Sequence, residues 1–125
     1  MIIGVGIDIV DVRRIDSILR KFKEQFLNKI YTDAEIRFCY SRSDAVSSLA
    51  KMFSLKEATI KALSDAKGIG WHDMQISHDE NGKPIMNLSG KALEHLKKKT
   101  SNFNIQVSVS DEKKYAIAYV IIESI

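Results

Sequence analysis

Apolar and polar positions alternate at the start of the chain. Ile3, Val5, Ile7 and Ile9 fall on one face of an extended segment, and Ile2, Gly4, Gly6, Asp8 and Val10 fall on the other. A period of two predicts a strand over residues 2–10. The period then changes. Ile15, Ile18, Leu19, Phe22 and Phe26 recur at helical spacing, which predicts a helix over residues 12–27 with this stripe inward. Asp11 stands immediately before it, placed to cap it. Thr32-Asp33-Ala34-Glu35 is a capping box and opens a second helix with Ile36 and Tyr40 inward. A third helix is expected over residues 44–63, with Val46, Leu49, Phe53 and Ile60 as core. Lys67-Gly68-Ile69-Gly70-Trp71 breaks it. Strands near 74–78 and 85–88 flank a turn in which Asn81-Gly82 is a strong hairpin signal. A short helix over 90–99 turns Ala92, Leu93 and Leu96 inward. Strands over 103–110 and 115–123 close the chain. The first alternates Ile105, Val107 and Val109 with Asn104, Gln106 and Ser108, so one of its faces is solvated. The second is apolar on both faces, as suits a central strand or a subunit interface.

The order is strand, three helices, hairpin, helix, hairpin. It predicts an α+β fold, with helices packed on one side of a largely antiparallel sheet. No linker or repeat divides the chain, so residues 1–125 are expected to form a single domain.

Composition narrows the setting. The chain is 45% hydrophobic and 28% charged, as in ordinary soluble domains. No apolar run approaches the ~18 residues of a membrane span, and the first residues lack the basic region of a secretory signal. The single cysteine, Cys39, excludes an internal disulfide and fits a cytoplasmic location. In an aromatic-rich helix it reads as buried filler rather than a nucleophile.

The net charge of +3 suits an acidic partner or a phosphate-bearing substrate. Arg13, Arg14, Arg20, Lys21 and Lys23 crowd into the first helix. No signature of DNA or RNA recognition accompanies them, and nucleic acid is not expected as a partner.

The candidate chemistry rests on two stretches. Asp8 is a carboxylate inside an apolar, glycine-containing strand, where Gly4 and Gly6 leave room for a ligand to approach. Glu57 and Lys61 are four apart and share a helix face. Ala50 and Ser54 lie on the same stripe, a small-residue lane that reads as a ligand groove. By itself Glu57–Lys61 reads as an ordinary surface ion pair. Taken together, Asp8 and Glu57 offer two hard oxygen ligands and Lys61 a charge for a phosphate. Mg²⁺ binds in this way, through one or two carboxylates plus substrate phosphates and waters.

Four segments carry a resemblance: Gly4–Ile15, Phe53–Leu63, Asn81–Pro84 and Val107–Glu123. They resemble, in order, the small holo-acyl-carrier-protein synthases, a family of phosphopantetheinyl transferases. The resemblance implies transfer of 4′-phosphopantetheine from coenzyme A to a serine of apo-acyl carrier protein, as in fatty acid biosynthesis. Adenosine 3′,5′-bisphosphate would be released. It implies Mg²⁺ held by Asp8 and Glu57, with Glu57 and Lys61 as catalytic residues. Either Glu57 or a metal-held water would take the serine proton. Coenzyme A would be bound by Lys61, by Lys56 one residue off the stripe, and by a loop pivoting at Gly68 and Gly70. Arg13, Arg14, Arg20, Lys21 and Lys29 would dock the acidic carrier, with Arg14 the best match to the family arginine. The family assembles as homotrimers with active sites between protomers. Two departures stand out. Met52-Phe53-Ser54 replaces a common Arg-Phe-Ala, with Lys51 available as a substitute cation. Ser64–Trp71 replaces a common Gly-Thr-Gly loop.

Overall fold

The computed structural model describes residues 1–65 and 67–125. Its elements are β1 (Ile2–Asp11), α1 (Val12–Ile30), α2 (Asp33–Tyr40), α3 (Ala45–Leu63), a 3-10 turn at Trp71–Asp73, β2 (Met74–His78), β3 (Pro84–Leu88), α4 (Gly90–Lys97), β4 (Phe103–Asp111) and β5 (Tyr115–Ser124). The expected order holds. The strands are all antiparallel but divide between two sheets, β1-β5-β4 and the β2-β3 hairpin. The hairpin turns at Gly82, whose φ of 82° is the left-handed conformation that glycine adopts without strain. β5 is the central strand, with one apolar face (Ala116, Ala118, Val120, Ile122) buried in the core and the other (Tyr115, Ile117, Tyr119) exposed.

α3 lies across the inner face of the larger sheet. Ala116, Ala118, Val120 and Ile122 of β5 meet Leu49, Leu55 and Ala58 of α3 in one core. Small alanines on both sides bring helix and sheet close together.

Several inward positions shift from expectation. Phe22 has non-helical dihedrals (φ −139°, ψ 46°), and this kink puts its ring 56% exposed. Beyond the kink, Leu27 and Ile30 carry the buried face of α1. Asp11 caps the helix, its carboxylate accepting from the Arg13 amide. The α2 capping box forms as read, with Thr32 N–H donating to Glu35 Oε1 at 2.8 Å. However, Tyr40 is exposed, and Glu35 and Cys39 face inward instead. A charged residue takes the core position because a buried lysine of α3 receives it. Burial pushes the Cys39 thiol up to about 12, which suits filler rather than a nucleophile.

Candidate functional site

The site begins where β1 and α3 pack side by side. Gly4 and Gly6 do not leave space for a ligand. A Cβ at Gly4 would run into the Ala62 carbonyl, and one at Gly6 into the Ala58 carbonyl. The glycines therefore admit the backbone of α3, and the strand's Val5, Ile7 and Ile9 face turns outward. This contact brings α3 against Asp8. The small-residue lane is corrected too: Ala50 and Ser54 are fully buried, so they form packing and not a groove. The Ser54 hydroxyl donates to the Asp8 carbonyl at 2.9 Å.

Asp8, Glu57 and Lys61 meet at this seam. Lys61 turns across to β1, where Nζ donates to the Ile7 carbonyl at 2.9 Å and lies 3.5 Å from Asp8 Oδ1. The Asp8 side chain is 16% exposed and that of Lys61 55%. Burial raises the Glu57 carboxyl above its usual range, and the Asp8 charge raises it further. Lys61 and Arg14 pull it partly back. The Asp8 and Glu57 carboxylates are close enough at this seam for the charge of one to act on the other, with the Lys61 ammonium beside them. No group of three or more His, Cys, Asp or Glu suited to a metal occurs among the described residues. The donor set is thus the sparse one that fits Mg²⁺ shared with substrate phosphates, rather than a closed all-protein site.

Lys56 does not join this seam. Its side chain is 0% exposed, which leaves no surface for a cofactor. Nζ donates to Glu35 Oε1 at 2.7 Å, to the Ile30 carbonyl at 2.8 Å and to the Trp71 carbonyl at 3.2 Å. One residue along a helix is a 100° turn, and that turn separates a core cation from the exposed stripe.

Gly68 and Gly70 sit in the exposed loop after α3, and Gly68 uses a φ of 80°. Ala66 of that loop lies outside the described residues. Among the basic residues of α1, Arg13 is committed to Asp11 at 2.6 Å and lies over the Tyr115 ring. That pairing lowers the Asp11 carboxyl to about 2. Arg20 pairs with Asp16 at 3.1 Å, while Arg14 and Lys21 are exposed.

A second feature escaped the sequence reading. A cavity of about 340 Å³ opens on the other face of α3, lined by Phe38, Arg42, Lys51, His78, Gly82 and Pro84 among others. His78 stacks on Phe38 at 3.9 Å, with the Arg42 guanidinium over the Phe38 ring. The Asn81–Pro84 motif and Lys51, the substitute for the family arginine, were its sequence signals. The cations come from α2's end and α3, which no local pattern connects.

A family model described as the 4′-phosphopantetheinyl transferase superfamily matches residues 4–120. The holo-[acyl-carrier-protein] synthase of Koribacter versatilis is 41% identical, over 98% of this chain and 99% of its own length. That of Vibrio cholerae is 42% identical, over 98% of each. Among solved structures, the Neisseria meningitidis synthase aligns with a TM-score of 0.88 at 34% identity, over 99% of this chain and 100% of that one. The Helicobacter pylori synthase, in complex with coenzyme A, aligns with a TM-score of 0.82 at 31% identity, over 95% and 99%.

Proposed function

The chain belongs to the 4′-phosphopantetheinyl transferase superfamily, and on that premise we propose that it is a holo-acyl-carrier-protein synthase. It moves 4′-phosphopantetheine from coenzyme A to a serine of apo-acyl carrier protein, and so serves fatty acid biosynthesis. The observation that carries this reading is the seam of Asp8, Glu57 and Lys61 between β1 and α3. The serine oxygen bonds to the β-phosphorus as the bond from that phosphorus to the bridging oxygen breaks. The leaving group is adenosine 3′,5′-bisphosphate. Asp8 and Glu57 are the residues that would hold Mg²⁺, which supplies charge compensation for the pyrophosphate when bound. Lys61 offers its ammonium to a phosphate oxygen, fixed in place by the Ile7 carbonyl. Glu57 or a water held at the metal would take the serine proton.

Coenzyme A has a second matching feature. The cavity with Arg42, Lys51 and the Phe38–His78 stack suits a nucleotide, through cations for phosphate and rings for a base. Lys51 lies there in place of the family arginine, 3.5 Å from Asp111. This cavity and the carboxylate seam lie on different faces of α3, which suits a coenzyme A site shared between protomers. The outer sheet face supports such an assembly. Ile7 and Ile9 are 51% and 63% exposed, beside exposed Ile117 and Tyr119. Apolar exposure of this kind marks an interface, and we assign it to the homotrimer. Tyr119→Glu is expected to convert trimer to monomer in analytical ultracentrifugation. A Tyr119→Glu protein that sediments like the wild-type trimer would remove this face from the assembly.

The α1 face is the carrier-docking surface. Arg14, Lys21 and Phe22 are all exposed on α1, and exposed cations of this kind fit an acidic protein partner. Arg14→Glu is expected to raise the KM for the carrier roughly tenfold while the KM for coenzyme A changes far less. Equal effects on both substrates in steady-state kinetics would refute the docking role. The free, buried Cys39 suits a cytoplasmic enzyme. No helix among the described residues is long and apolar enough to cross a membrane.

Intact-protein mass spectrometry tests the function directly. Apo-acyl carrier protein incubated with the enzyme, coenzyme A and Mg²⁺ should gain the mass of one phosphopantetheine, and none in EDTA. Release of adenosine 3′,5′-bisphosphate without carrier modification would instead favour a hydrolase.

A further inference from the structure

The cavity behind α3 holds an imidazole whose ring is fixed while its nitrogens remain unpaired. His78 ends β2 and lines the cavity. Its ring lies flat on Phe38, with centroids 3.9 Å apart and planes 10° from parallel. The Arg42 guanidinium lies over the same Phe38 ring at 5.6 Å. Among the described residues neither nitrogen of His78 has a hydrogen-bond partner, whereas His72 and His95 each reach a backbone carbonyl at 2.9 Å. No side-chain nitrogen or oxygen among the described residues is both sealed from solvent and unpaired. The His78 nitrogens are therefore open to solvent, on a residue that lines the cavity. Four charged groups line it with His78. Arg42 follows α2, Lys51 stands on α3, and Asp79 and Glu80 begin the hairpin turn. The Asp79 carboxylate accepts from the Asn81 and Lys83 amides at 2.8 and 2.9 Å, which commits it to the turn. Asp111 of β4 accepts from the Ser47 hydroxyl at 2.7 Å and lies 3.5 Å from Lys51. Burial first, then the Arg42 and Lys51 charges, push the His78 imidazole below its usual range, and Asp79 opposes them. With no ligand, the ring is neutral at pH 7.

We propose that His78 is a phosphate-binding residue of the coenzyme A site and takes up one proton from solvent as the ligand enters. A phosphate brings negative charge and acceptor oxygens into a cavity where Arg42 and Lys51 disfavour a third cation. Its charge offsets theirs and favours the protonated ring. A neutral imidazole offers one N–H, and an imidazolium offers two. A bond from the charged ring to a phosphate oxygen is shorter and stronger than one between neutral groups. The proton goes to the open ring nitrogen, and no bond of coenzyme A changes. The ring face is spent on Phe38 and the base, while the ring edge serves the phosphate. Coenzyme A offers two sources of that chemistry, its 3′-phosphate and its pyrophosphate. Uptake of a proton on binding means that affinity strengthens as pH falls, about tenfold for each unit by which the ligand raises the group.

The inference rests on the nucleotide reading of the cavity, and its test separates the two. Coenzyme A binding to the full chain is measured by titration calorimetry at pH 7 with Mg²⁺, in two buffers of different ionisation enthalpy. The dependence of the heat on the buffer counts the protons taken up. Protons moved by the 3′-phosphate itself or by Glu57 are common to wild type and variants, so they cancel in the difference. His78→Phe keeps a ring for the stack and has no ring nitrogen. His78→Asn keeps a polar side chain without a basic nitrogen, and it stands alone if the Phe variant does not fold. Wild type is expected to take up a fraction of a proton more than either variant. From pH 8 to pH 6 its Kd should fall about five- to tenfold further than theirs. Dephospho-coenzyme A assigns the source. An excess that disappears with it belongs to the 3′-phosphate, and an excess that persists belongs to the pyrophosphate. Arg42→Ala is the control for the cavity. Equal proton uptake in wild type and the His78 variants, with coenzyme A affinity lost in Arg42→Ala, would overturn the role of His78 and leave the nucleotide site standing. Unchanged coenzyme A affinity in Arg42→Ala would overturn the nucleotide reading and this inference with it.

Discussion

Asp8→Asn and Glu57→Gln are each expected to abolish phosphopantetheine transfer, a loss on the order of a thousandfold or more, without weakening the fold. The loss follows from the sparseness of the site. On the proposed reading Asp8 and Glu57 are the protein's two ligands to the cation, so removing one charge would halve the protein's share. The effect on stability has the opposite sign for Glu57. Burial first, then the Asp8 charge, raises its carboxyl above the usual range. A raised carboxyl means that the folded chain holds that proton more tightly than the unfolded chain. The ionised form therefore costs stability at neutral pH, and the cost disappears as pH falls through the raised value. Glutamine removes the charge at every pH. In EDTA at pH 7, Glu57→Gln is expected to melt above wild type. At pH 4 the difference should shrink, because wild-type Glu57 is then largely protonated. Transfer assays and calorimetry on the same samples check both halves. Normal activity in either variant removes the metal assignment. A Glu57→Gln protein that melts below wild type at pH 7 means that Glu57 holds the fold together rather than straining it.

The elements and their order were legible in the sequence because each carries its own local signal. The alternation of β1, the Thr32–Glu35 capping box and Asn81-Gly82 are short-range codes, and the chain obeys them. Asp8 stood out because it breaks the apolar pattern of β1, and Glu57 only through its four-residue spacing to Lys61. What the glycines do was not legible. Gly4 and Gly6 look the same whether they make room for a ligand or for a helix, and only the approach of Ala58 and Ala62 decides it. The sorting of the two lysines failed for a related reason. Lys56 and Lys61 both sit in an α3 motif, and periodicity does not reveal that Glu35, 21 residues earlier, waits in the core for one of them. A buried charge becomes readable only when its partner is known. The kink at Phe22 and the cavity behind α3 are likewise products of packing between distant segments.

That buried partnership carries the second large effect. Lys56→Met is expected to destabilise the protein by about 3–5 kcal/mol, the usual cost of stranding one member of a buried ion pair. For a domain of this size the melting temperature falls by roughly 10–20 °C. Burial alone pulls the Lys56 ammonium below its usual range, and the Glu35 hydrogen bond opposes that shift. Without Lys56, the Glu35 carboxylate keeps the Thr32 and Ile76 amides as donors but loses its counter-charge. The Ile30 and Trp71 carbonyls also lose their donor. The double variant Glu35→Gln/Lys56→Met removes the stranded charge. Its amide oxygen still accepts from one backbone N–H, and its amide nitrogen can serve a carbonyl. It should recover a substantial part of the loss, as neutral replacements of buried pairs commonly do. Melting curves of the two variants beside wild type give the answer. Lys56→Met at wild-type stability would show that the pair does not hold the core. A raised coenzyme A KM at an unchanged melting temperature would return Lys56 to the substrate site.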